Sequence, residues 1–158
     1  MVPIEVLKAE YCLSWQGIHG FPHWQRVSII GSRLAEITGA NSEIVELFAY
    51  LHDLKRWNNG SDYEHGKRAA EFINKIQGVH IHLSERDLKL LKYACEFHTC
   101  GFTQADITVQ TCWDADRLDL GRVGIRPDPK YLCTDAAKDQ SILEWAYLAS
   151  VNQFYDWG

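Results

Sequence analysis

Six side chains in this chain could together hold a cation: His23, His52, Asp53, His65, His98 and Asp116. Five of them stand on apolar stripes at helical spacing, and the sixth, Asp53, adjoins His52. His23 begins a series with Val27, Ile30, Leu34 and Ile37, one face of an α-helix. His52 completes Ile44, Leu47/Phe48 and Leu51, while His65 shares a face with Ala69, Phe72 and Ile76. Leu88, Leu91 and Cys95 lead to His98, and Asp116 lies between Trp113 and Leu120. One inward histidine is ordinarily a hydrogen-bonded core residue. Four of them, with two inward carboxylates, need a common partner, because an unpaired buried carboxylate is expensive. Neutral imidazole together with carboxylate is suitable chemistry for a first-row divalent metal. Residues near the ends of helices that share one core can converge on such an ion.

The elements that must position them are helical nearly throughout. The periodicity predicts helices over about 3–15, 23–38, 42–56, 63–77, 84–97, 109–121 and 135–155. Pro3 suits a first turn, Asn41 a cap, and Gly39 and Gly78 two helix stops. "SERD" at 84–87 resembles a capping box with Asp for Glu. "VHIHL" at 79–83 is too short and isolated to define a sheet, and its His80 and His82 read as solvent-facing. The expected class is all-α, a compact multi-helix bundle in a single domain over 1–158.

With 158 residues, 46% hydrophobic and 23% charged, the chain is composed like a soluble globular domain. Its net charge of −5 argues against a footprint on a nucleic-acid polymer, which needs clustered Lys and Arg, but permits a small phosphorylated ligand. "MVPIEVLKAEYC" lacks the pattern of a signal peptide, and no apolar run is long enough for a membrane span. A cytoplasmic location is expected. The five cysteines are odd in number and form no C-x-x-C, which favours reduced thiols. Ligation by Cys95 and Cys100, close to His98, is a lesser alternative to simple burial.

"HWQRV" (23–27), "LHD" (51–53) and "DADRLDLGRVG" (114–124) resemble the HD-domain superfamily of metal-dependent phosphohydrolases, over about 19–124. The resemblance implies that His23, His52, Asp53 and Asp116 ligate one divalent metal. It also makes His65 and His98 counterparts of the extra histidines in dinuclear members, where the Asp of the pair bridges two ions. The ligand types do not choose among Mn, Ni, Co, Fe, Zn and Mg. Two familiar substrate classes are disfavoured. Arg56-Trp57 stands where enzymes acting on guanosine tetraphosphate carry Glu-Asp, and the Gly-Tyr-Pro signature of the cyclic-dinucleotide branch is absent. The opening "IHG..HW.RV" and the "CWDADRLDLGRVG" run are most similar to compact bacterial HD hydrolases.

The implied reaction is hydrolysis of a small phosphate ester or anhydride, a nucleotide first among them, by metal-activated water. Asp53 would serve at the metal. Lys55 and Arg56 either hold phosphate oxygens or cap the preceding helix. Arg117 either reaches the phosphate or holds Asp116. Asp114 and Asp119 are candidates to orient ligands, His19 to face substrate or steady a ligand, and Glu64 to carry a proton. Trp24 or Trp57 could stack a base. A homodimer is among the expected assemblies. Two other readings remain open: a di-iron oxygenase on the same scaffold, which predicts bound iron and oxygen dependence, and a non-catalytic, metal-stabilised interaction domain.

Overall fold

A computed structural model describes residues 1–152. Among these, eight α-helices and two short 3-10 turns account for the regular structure, and the only β feature is an isolated bridge from Gln77 to Ile81. The helices are α1 Ile4–Glu10, α2 Phe21–Thr38, α3 Ser42–Leu51, α4 His65–Ile76, α5 Glu85–Phe97, α6 Ile107–Arg117, α7 Asp135–Lys138 and α8 Gln140–Asn152. None of the described helices is long and apolar enough to cross a membrane.

Local chemistry sets the boundaries. Asn41 accepts from the amides of Glu43 and Ile44 at 3.1 and 3.4 Å, Ser84 from Asp87 at 3.1 Å, and Asp106 from Thr108 at 2.8 Å. Gly39 closes α2 with φ of 76°, in the left-handed region, and its N–H reaches Ala35 O. α2 begins two residues before the expected start, because Pro22 fits its first turn.

Three expected helices are shorter or broken. α1 stops at Glu10, where Tyr11 turns extended and a series of turns follows. The expected helix over 135–155 breaks at Asp139, whose carboxylate accepts from the amides of Ser141 and Ile142 and so starts α8; positions 153–155 lie outside the described residues. The third departure matters most for function. α3 ends at Leu51, and His52-Asp53 sit on tight turns made by Leu54 N–Leu51 O and Arg56 N–Asp53 O bonds of 3.2 Å. The His52 imidazole causes the stop by donating Nδ1 back to the Phe48 and Ala49 carbonyls at 3.0 and 3.1 Å.

α2, α3, α5 and α6 enclose a core in which Trp24, Phe48, Trp113, Ile30, Leu34 and Leu91 are wholly or almost wholly buried. α4 packs along α5. Gly66 allows this closeness, since a Cβ there would stand 2.4 Å from Cys95 O and 2.8 Å from Glu96 O. Those atoms are backbone and cannot swing aside. The approach brings the start of α4, with His65, to the end of α5, with His98.

Candidate metal centre

The turn after α3 carries Asp53 to the middle of the converging residues, where its two oxygens face opposite groups. On one side, His23 Nε2 and His52 Nε2 both lie 3.6 Å from Asp53 Oδ2 and 3.1 Å from each other. Asp116 Oδ1 completes this group at 3.2 Å from His23 and 3.5 Å from His52. On the other side, Asp53 Oδ1 lies 3.0 Å from His65 Nε2 and 3.4 Å from His98 Nε2, which are 2.9 Å apart. Donors bound to one ion at about 2.1 Å stand roughly 3.0–3.4 Å apart, depending on the coordination angle. The His65–His98 side, at 2.9–3.4 Å, and the His23–His52–Asp116 group, at 3.1–3.5 Å, lie at or near that range, while the two Asp53 Oδ2 distances of 3.6 Å are slightly longer. His23, His52 and Asp116 form one set able to hold an ion, and His52, Asp53 and His98 another.

Every imidazole uses Nδ1 against an acceptor: His23 on Asp119 Oδ2 at 2.6 Å, and His52 on the α3 carbonyls. His65 uses it on Asp62 O at 2.5 Å, and His98 on Cys95 O at 2.6 Å. A neutral imidazole has one N–H, so with Nδ1 donating, Nε2 carries a lone pair. Four Nε2 lone pairs then face one another and two carboxylates, acceptors against acceptors in a buried space. Only cations or added protons reconcile them, and the donors suit a divalent metal.

The ionisation of the metal-free site follows from the same crowding. Burial alone would raise the Asp53 and Asp116 carboxyls. The facing imidazoles, His52 first, outweigh it and hold both well below the usual carboxylate range. Burial likewise depresses the His52 imidazolium, but Asp53 and Asp116 overcome it and raise its pKa. For His98 burial wins, and the pKa falls. A raised histidine pKa stabilises the fold below the ordinary imidazole value, and that contribution is lost as pH rises through the raised value. Depressed Asp pKa values stabilise above the ordinary carboxylate value and are lost as pH falls. The contributions of His52 and the two carboxyls therefore overlap between about pH 4 and 6.5, opposed there by His98, whose lowered pKa costs stability as pH falls, and metal is expected to add most above that window, where protons no longer compete. Thermal unfolding with and without chelator across pH 4–9 checks this. A metal-induced rise in Tm that is the same at every pH would contradict it.

Residues behind the cluster fix its orientation. Asp119, completely buried, takes the His23 N–H and a bidentate contact from Arg26, with Nε–Oδ1 at 2.7 Å and Nη2–Oδ2 at 3.1 Å. Arg26 has no role in the sequence reading. Its signal lay in "HWQRV", where it falls on the buried side of α2, three residues after His23. Asp62 was also missed: its carbonyl fixes His65 while its carboxylate takes Arg68 Nη2 at 2.6 and 2.7 Å.

The other sequence candidates are placed as follows. Arg56 donates Nε to Asp53 Oδ1 at 3.0 Å and Nη1 to the Asn58 and Gly60 carbonyls, so its guanidinium braces Asp53 and the following turn. Lys55 pairs with Glu10 at 2.8 Å, outside the cluster. Asp114 is also outside, held by Cys133 N, Thr134 N and Thr134 Oγ1 at 2.7–2.9 Å, and ties α6 to the start of α7. Arg117 turns from Asp116 and donates Nη1 to Tyr131 O at 2.9 Å. The Glu64 side chain is 69% exposed, 4.0 Å from Lys67, so it projects into solvent from the start of α4. His19 is buried, with Nδ1 3.0 Å from Asn59 Oδ1, and burial lowers its pKa. Trp24 is a core residue, its Nε1 bonded to His19 O, whereas Trp57 is 67% exposed with Arg68 stacked 3.7 Å from its ring centroid. Cys95 is buried and Cys100 exposed, and neither belongs to the metal-holding sets found among the described residues.

Comparison with known proteins gives one match: a family model described as HD domain fits residues 20–121. No curated protein and no solved structure matches the chain.

Proposed function

The chain belongs to the HD-domain family, and on that basis we propose that it is a metal-dependent phosphohydrolase acting on a small phosphorylated metabolite, a nucleotide first among the candidates. The observation that carries this reading is the convergence of four imidazole Nε2 atoms on the two oxygens of one carboxylate. His23, His52, Asp116 and Asp53 Oδ2 would hold one ion, and Asp53 Oδ1, His65 and His98 a second. Bound there, divalent ions would supply Lewis-acid polarisation of a phosphoryl group and activation of a water at neutral pH.

The protein's own groups do the positioning. Asp119 and the backbone carbonyls of Phe48, Asp62 and Cys95 fix each imidazole as the tautomer with a free Nε2. Arg56 orients Asp53, leaving Oδ2 free of that contact. The Asp116 side chain is 17% exposed, against 0–3% for the other cluster side chains, which makes it the most solvent-accessible group of the cluster.

His65→Ala or His98→Ala is expected to lower bound metal from two ions per chain to one, since each leaves the His23 side intact. Metal counting by plasma mass spectrometry after dialysis checks this. Unaltered stoichiometry would remove both residues from the metal centre. Activity is tested on a panel of phosphate esters and nucleotides with added Mn, Co or Ni. Metal binding without turnover of any of them would count against a hydrolase, and oxygen consumption by the iron-loaded protein would favour the oxygenase alternative.

A further inference from the structure

A cavity of about 300 Å³ borders the cluster through His98. His98, a cluster donor, lines its wall, and so does Arg117, the residue after Asp116. Much of the rest is apolar, with Leu120, Ile125, Pro127, Leu132 and Tyr131, and the other polar side chains in the wall are Thr99, Arg126 and Asp128, the last 3.8 Å from Lys130. Its size is at the lower end of the roughly 300–1,000 Å³ of small-molecule sites, and a mostly apolar wall with a few fixed polar groups is the usual composition of such sites.

Arg117 supplies the polar feature. Its Nη1 is engaged by Tyr131 O at 2.9 Å and Cys133 Sγ at 3.5 Å. Its Nη2 is shielded from solvent and has no hydrogen-bond partner among the described residues. A buried guanidinium N–H without an acceptor is costly, and a small shift of the side chain that opens Nη2 to the cavity would let a phosphate oxygen, a strong acceptor, satisfy it. Arg126, also in the wall, already pairs with Glu144 at 2.9 Å.

We propose that this cavity seats the organic part of the substrate, that this part is an aromatic or other flat apolar group, and that Arg117 anchors the phosphate end beside the cluster. The proposal rests on the phosphohydrolase reading and narrows its substrate class. Phosphates bearing a nucleobase or an aryl group fit. Hexose and pentose phosphates without one gain less there, because the Leu, Ile and Pro part of the wall offers their hydroxyls no partners.

Phosphonates test this without turnover, since their P–C bond is not hydrolysed. On the manganese-loaded protein, 1-naphthylphosphonate is expected to bind at least tenfold more tightly than methylphosphonate by calorimetry. The two share an anionic head and differ only in the apolar body. Ile125→Asp puts a carboxylate at a half-exposed wall position that tolerates change, and should reduce that ratio to below threefold. Arg117→Met should weaken both ligands. Equal affinities for the two phosphonates, or a preference unaltered in Ile125→Asp, would overturn the proposal, and unchanged affinities in Arg117→Met would remove its anchor. Hydrolysis is scored separately on 1-naphthyl phosphate. The preference without turnover would retire the phosphohydrolase reading while supporting the cavity's specificity. Turnover without the preference would do the reverse.

Discussion

Asp53→Asn is expected to cost at least on the order of 10³-fold in hydrolysis while leaving the helical content unchanged. Asp53 is the one residue that faces both groups of imidazoles, through Oδ2 on one side and Oδ1 on the other. An amide keeps its shape but removes the charge and turns one oxygen into a donor group aimed at imidazole nitrogens or at Arg56. Lewis-acid stabilisation of a phosphoryl transfer is worth several kcal/mol, and at about 1.4 kcal/mol per tenfold the loss reaches that order. The variant should also lose the rise in Tm that added metal gives the parent protein, because ligand-linked stability requires binding. Steady-state kinetics and metal-dependent Tm, with far-UV circular dichroism as a control for folding, decide it. Retention of metal and of activity within about tenfold would remove Asp53 from the centre.

Arg26→Met is expected to give the largest loss of stability among substitutions outside the metal-facing residues, about 3–5 kcal/mol. Arg26 is 3% exposed and Asp119 is fully buried, so removing the guanidinium leaves a carboxylate supported by the His23 N–H and, at 3.8 Å, by Arg122. A loss of that size is a large fraction of the roughly 5–15 kcal/mol that holds a domain together. The unbalanced charge would favour a doubly protonated His23, whose Nε2 could not ligate, so metal affinity should fall as well, by about 10–100-fold. The double variant Arg26→Met/Asp119→Leu should recover much of the stability, since it leaves no buried charge, but not the metal affinity, because His23 loses its acceptor. Urea unfolding of the three proteins separates these effects. A cost below about 1 kcal/mol for Arg26→Met would show that the pair does not carry the load its burial implies.

The helical class and the inward placement of four histidines were legible because both depend on local periodicity. His23, His65 and His98 share faces with core residues such as Val27, Phe72 and Cys95, and a stripe of that kind survives small errors in helix boundaries. The turn at His52-Asp53 was not legible. The sequence over 42–56 continues its helical pattern, and the stop arises from an imidazole bonding to carbonyls of its own last turn. The cations after the pair could not be placed either, since the partner of Lys55 is Glu10, forty-five positions earlier, and Arg56 is claimed by Asp53 and two loop carbonyls. Arg26 was overlooked for a related reason. An arginine on a helix is usually solvated, and only a buried acid 93 positions later makes it part of a site. Side chains whose role depends on a distant charge leave little trace in local pattern. Those whose role depends on which helix face they occupy leave a clear one.

The most direct test is a count of divalent ions per chain on purified protein, first stripped with chelator and then saturated with manganese or cobalt and dialysed. Two ions per chain are expected, falling to one in His65→Ala and to none in Asp53→Asn. A saturated parent protein that retains no divalent metal would contradict the assignment of these six residues to a metal centre, and with it the hydrolytic function proposed for them.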